Sequence, residues 1–179
     1  RIDRIALKVK KSFPEEASGG QKLKMLVSYL FDELGFHGST LDYYHKSNSY
    51  LNEVMDDREG LPITLSVVLI ELAERLDLPV TGVGIPGHFL TMYREDKEGK
   101  EPKKKAEEIL IDAFEGKFVT REEASELSGV RLTEEDFKPA RKRDIITRIL
   151  RNLINVSERD RDSVSRLRYL DATIAIEPT

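Results

Sequence analysis

The amino-acid sequence predicts an α+β domain, a buried central helix against a small antiparallel sheet, followed by a helical hairpin. Between Pro62 and Pro79 the chain is apolar around nearly the whole helical circumference, the pattern of a helix buried on every side. Three strand-like runs follow it directly. Helical periodicities stand before and behind this pair of features.

From the start, Ile2 to Ser12 is too irregular to assign, although Ile2, Ile5 and Val9 would share a helix face. Pro14 and Gly19-Gly20 read as breakers. Lys22 to Leu34 spaces Leu23, Leu26, Val27, Leu30, Phe31 and Leu34 as an amphipathic helix that Gly35 closes. Asn48 to Arg58 reads as one short helix with Tyr50, Leu51, Val54 and Met55 inward, capped by Asn48 or Ser49. Pro62 suits the first position of the central helix, which Asp77-Leu78-Pro79 ends. Strands are predicted over Val80 to Ile85, His88 to Tyr93 and Glu108 to Asp112. An exposed hairpin loop, Arg94 to Glu107, joins the last two. Thr120 with Glu123 forms a capping box. Beyond Pro139, two helices follow, one marked by Ile145, Ile149 and Leu153, the other by Val164, Leu167, Leu170 and Ile174 and closed by Pro178. The division is a core over 1–137 and a helical hairpin over 138–179, packed on that core.

Composition narrows the functional classes. The chain has 179 residues, 39% hydrophobic and 35% charged, enough for one cored domain with an appendage. A net charge of -4 gives no footprint for nucleic acid. The basic side made by Arg141, Lys142, Arg143, Arg148 and Arg151 lacks the interleaved aromatics of a single-strand binder. Lys103-Lys104-Lys105 reads as solvated hairpin. No apolar run reaches a membrane span, and Arg1-Ile2-Asp3-Arg4 does not look like a signal peptide, so a cytoplasmic location is expected. There is no cysteine, which removes disulfides, thiolate zinc and a thiol nucleophile. His37, His45 and His88 lack metal-ligand spacing, and Gly82-Val83-Gly84 opens no helix. Neither a metal nor a cofactor is expected.

Four segments occur in one order: Asn48-Ser49-Tyr50-Leu51-Asn52; Arg58-Glu59-Gly60-Leu61-Pro62-Ile63-Thr64-Leu65-Ser66; Gly82 through Leu90 with Pro86-Gly87-His88; and Leu110-Ile111-Asp112-Ala113-Phe114. Together they resemble the SirB-type transglutaminase-like family, across roughly residues 20 to 175, with a tetratricopeptide-like tail. The resemblance implies a papain/transglutaminase-like core with a cysteine at the head of the central helix, activated by a histidine that an aspartate orients. His88 and Asp112 match the last two. Counting back from Asp77-Leu78-Pro79 by roughly four turns puts Pro62 where the cysteine would stand. A proline has no group to attack with.

Ser66, one turn deeper on the Pro62 face, is the candidate substitute nucleophile, whereas Thr64 is rotated by about 200° from Pro62. The plain alternative is that Ser66 bonds its own i−4 carbonyl, as buried helix hydroxyls more often do. His88 reads either as a surviving base or as a structural partner of Asp112. Asn52, Arg58, Pro62, Thr64 and Gly87 are the candidate binding positions, with surface or capping roles as the plain alternative. The expectation is a non-catalytic binding or scaffolding module with a protein partner. A hydrolase or amidase using Ser66, or a water activated by His88, is the alternative, and a purely structural adaptor the third.

Overall fold

The computed structural model describes residues 1–95 and 107–176, and it is α+β as the sequence predicts. Helix α1 (Ile2–Ser12) precedes α2 (Gly19–Ser28), which runs on as a π turn over Tyr29–Glu33. The bridge strand β1 (His37–Gly38) pairs in parallel with β2 (Glu59–Gly60), and α3 (Leu51–Asp57) lies between them in sequence. Helix α4 (Pro62–Arg75) is the centre: Leu65, Leu69, Leu72 and Ala73 have no exposure at all. Pro62 opens it, where its missing N–H costs nothing.

Strands β3 (Val80–Ile85), β4 (His88–Glu95), β5 (Glu107–Asp112) and β6 (Lys117–Val119) form one antiparallel sheet in sequence order. Side chains alternate between its faces. Tyr93 and Ile111 pack with α1, α2 and α4. Leu90, Met92 and Leu110 pack on the other face with Ala124 of α5 (Arg121–Ser128) and with Phe137. Helix α6 (Lys142–Arg159) then returns to α4, where Ile145 and Ile149 meet Leu61, Ile63 and Phe89. Helix α7 (Ser163–Ile176) packs on α6 and leaves Val164, Leu167 and Ile174 more than 60% exposed.

Several local expectations are corrected. Residues 2–12 are helical, because Ala6 and Val9 bury a face on α4 that the loose pattern concealed. Gly19-Gly20 do not break a helix but begin one: Ser18 and Gln21 cap each other reciprocally, and Gly19 leaves room for the Tyr93 hydroxyl. The stretch 48–58 is a 3-10 turn (Lys46–Ser49) plus α3, and Leu51 points outward. Asn48 caps neither; its amide donates to the carbonyls of Asp42 and Tyr43. The sheet gains β6, a three-residue strand too short to show a period. The Thr120–Glu123 capping box forms as expected. Lys103–Lys105, most of the expected hairpin loop, and Pro178 lie outside the described residues.

Candidate functional site

His88 opens β4 immediately after the tight turn Pro86-Gly87, where Gly87 takes a φ of 72° that suits a residue without Cβ. Asp112 closes β5. The register that sets Thr91 opposite Ile111 places Asp112 opposite Leu90, one diagonal step from His88 on the same face. The two side chains meet there, with His88 Nε2 3.1 Å from Asp112 Oδ2. The contact is close but is not a well-directed hydrogen bond, and neither atom has a hydrogen-bond partner among the described residues. Asp112 is fully buried, and its Oδ1 accepts the backbone N–H groups of Phe114 and Glu115. Burial alone would raise its pKa, but His88 and these two N–H groups together hold it below the ordinary value. Nε2 of His88 is buried, while the ring as a whole keeps 15% exposure.

The head of α4 lies at this same end of the core. Leu61 and Ile63, on either side of buried Pro62, pack against Phe89, the neighbour of His88. Thr64 is turned away to a structural task. Its hydroxyl donates to the Asn48 carbonyl at 2.7 Å and accepts the Leu61 N–H at 2.9 Å, tying the 3-10 turn to the start of α4. Ser66 has no exposure, and its hydroxyl has no hydrogen-bond partner among the described residues. It sits one turn inside the helix that covers the Tyr93–Ile111 face, whereas His88 and Asp112 alternate onto the Leu90–Leu110 face. The structure therefore brings His88 and Asp112 together and does not bring Ser66 to them.

The other candidate positions scatter. Asn52 is exposed on α3. Arg58 ends α3 in a left-handed conformation, donates to the Leu34 carbonyl at 2.7 Å, and borders a cavity of about 260 Å³ shared with Arg1 and Arg4. Gly87 is exposed in the turn. Among the described residues no cluster of His, Cys, Asp or Glu could hold a metal ion.

Sequence reasoning missed Arg148 as a neighbour of the site. Its guanidinium donates to the His88 carbonyl at 2.8 Å and to the Ile85 carbonyl, clamping α6 on the turn, and it lies over the Phe89 ring. Burial pulls its pKa down. The only sequence signal was a basic residue on the Ile145–Ile149 side of α6, which periodicity reads as solvated. Tyr43 was missed as well; its ring lies 6.1 Å from that of Phe114, two residues past Asp112. Burial pushes the Tyr43 hydroxyl up, with Tyr44 adding to it and Arg148 opposing.

Comparison with known proteins fixes the family. Residues 1–151 match the family model described as the Transglutaminase-like superfamily. The chain belongs to that superfamily. Among its relatives, a UPF0162 protein of Xylella fastidiosa is 38% identical over 145 residues, 75% of this chain and 48% of the relative. The human F-box only protein 21 is 31% identical over 141 residues, 78% of this chain and 22% of the relative. A UPF0162 protein of Haemophilus influenzae is 28% identical over 120 residues, 67% and 40% of the two chains. This transglutaminase-like chain thus spans about half, or less, of the length of the relatives it matches. No solved structure matches it significantly. Among the described residues no helix is long and apolar enough to cross a membrane.

Proposed function

We propose that this transglutaminase-like chain, of the SirB type, is a non-catalytic binding module, with a helical hairpin over 138–179 appended to a core over 1–137. One observation carries the reading: His88 and Asp112 meet, yet among the described residues no side-chain nucleophile reaches them. Pro62 heads the central helix, and the Ser66 hydroxyl is buried without a hydrogen-bond partner among the described residues. A hydroxyl that must attack a carbonyl needs a base within hydrogen-bond reach and a path to solvent, and Ser66 has neither. The module would hold a protein segment at the His88 turn, in the cytoplasm. The test is turnover on a panel of ester and amide substrates by the purified chain. The expected result is no turnover above buffer.

A second reading is favoured by a separate feature. His88 is held at Nε2 by Asp112 while part of its ring remains exposed, the arrangement a base needs to take a proton from water. Under that reading turnover is present, is lost in His88→Ala, and is unchanged in Ser66→Ala. Such a result would replace the binding reading with a hydrolase.

A further inference from the structure

The free edge of the sheet carries a strand position that the chain itself only partly fills. Among the described residues β3 is an edge strand and pairs with β4 alone. Further along the chain, the Ala140 N–H donates to the Gly82 carbonyl at 2.8 Å, so the Lys138–Ala140 segment already lies along this edge. Backbone groups of a strand alternate in direction with a two-residue period. Gly84 therefore points its N–H and carbonyl outward as Gly82 does. Gly84 is exposed, and among the described residues nothing bonds these two groups outside the sheet.

A groove of about 700 Å³ opens beside Gly84, between the Pro86-Gly87 turn, the Lys138–Ala140 segment and α6. Arg148, Asn152 and Asn155 line it at spacings of four and three residues, which is one helix face, and Arg151 joins them. The charges in its wall are unequally compensated. Asp144 is held by Arg141, Glu135 by Lys138, and Asp136 by the N–H and hydroxyl of Thr133. Arg148 donates only to neutral carbonyls, and Arg151 has no carboxylate partner among the described residues. Two neighbouring guanidiniums without a counter-charge favour an anion.

We propose that this groove binds an extended acidic peptide segment of a protein partner, which adds to β3 at Gly84 as a further strand. The main-chain bonds at Gly84 continue the one that Ala140 makes at Gly82, as in strand-addition complexes. Carboxylates of the peptide meet Arg151 and the remaining N–H of Arg148. The amides of Asn152 and Asn155, each with two donors and an acceptor, bond the peptide backbone from its far side. The site depends on no chemistry at His88 and Asp112, so it stands whichever reading of that pair holds.

The test titrates a fluorescein-labelled octapeptide of alternating Glu and Val with the full chain and reads fluorescence anisotropy. Two further probes are its Gln–Val counterpart and a version N-methylated at alternate amides. Saturable binding is expected for the acidic peptide, weakened by about tenfold or more in both other probes. The same loss is expected in Arg151→Glu and in Gly84→Pro. The proline removes the outward N–H, and an edge strand tolerates it there. Circular dichroism checks that each variant is folded; should Gly84→Pro fail to fold, the N-methylated peptide reads the same bond. Lys117→Glu, on the opposite edge strand, is expected to bind unchanged. No saturable binding up to millimolar protein would overturn the proposal. Equal binding of the N-methylated peptide would overturn strand addition. Equal binding of the Gln peptide, or an equal loss in Lys117→Glu, would overturn the acidic recognition.

Discussion

Asp112 and Ser66 are both polar and both without exposure, yet their surroundings differ completely. At the β4–β5 end, Asp112 faces His88 and accepts two backbone N–H groups from the turn that follows it. Inside α4, the Ser66 hydroxyl has no hydrogen bond among the described residues. A buried polar group normally survives because it is bonded, and here Asp112 is bonded through Oδ1 whereas Ser66 is not. The unbonded one contributes volume to a helix whose fully buried residues include the aliphatic Leu65, Leu69, Leu72 and Ala73. The contrast separates a maintained polar pair from a hydroxyl that no reaction can use.

The sharpest way to break this contrast is Asp112→Ala. It leaves His88 without its partner and removes the acceptor of two part-buried turn N–H groups. A loss of about 3–4 kcal/mol is expected in urea unfolding. A loss below about 1 kcal/mol would mean that the pair is not structural at all.

Thr64→Val comes next, since it removes the hydroxyl that bridges Asn48 and Leu61. About 1–2 kcal/mol is expected, because both hydroxyl bonds are lost in a buried site and only the long 3.4 Å bond from the Leu61 N–H to the Asn48 carbonyl remains.

The pH dependence sharpens the same comparison. The folded-state pKa of Asp112 is held below its ordinary value of 3.8. Its stabilising contribution is therefore fully present above that value and is lost as the pH falls through the lower folded-state value. Unfolding free energies at pH 7 and pH 3 should differ more for the native chain than for Asp112→Asn. Equal differences in the two proteins would assign the acid sensitivity elsewhere.

Ser66→Ala is the smallest effect expected, between no change and a gain of about 1 kcal/mol, because an unbonded buried hydroxyl is removed. A loss of about 2 kcal/mol or more in thermal unfolding would show that the hydroxyl is bonded in solution, contrary to the structure.

Much of the fold was legible because hydrophobic pattern and turn chemistry agreed. The all-round apolar run from Ile63 to Leu76 could only be a buried helix, and Asp77-Leu78-Pro79 could only end it. The strands of Val80–Ile85 and His88–Glu95 were punctuated by Pro86-Gly87. What escaped was short or held from a distance. β6 spans three residues, α1 is helical through its contact with α4, and Gly19-Gly20 are tolerated because Ser18 and Gln21 cap them. The tail was legible as two helices but not in its contacts. Tyr169 reaches back to hydrogen-bond Tyr50, whose hydroxyl is pushed up to about 12 by burial and then by that bond.

The sequence by itself determined the buried central helix, the three longer strands that follow it, and the absence of a thiol nucleophile. Those properties depend on local pattern and on residue identity, which a linear chain states directly. Only the tertiary structure decided that Ser66 lies within the core beneath the sheet, that Thr64 is a tie between segments, and that Arg148 clamps the His88 turn while an edge of β3 stays open. Each of these depends on which face of a helix or sheet meets a neighbour distant in sequence, and a period of 3.6 or 2 residues fixes a face without naming what it faces.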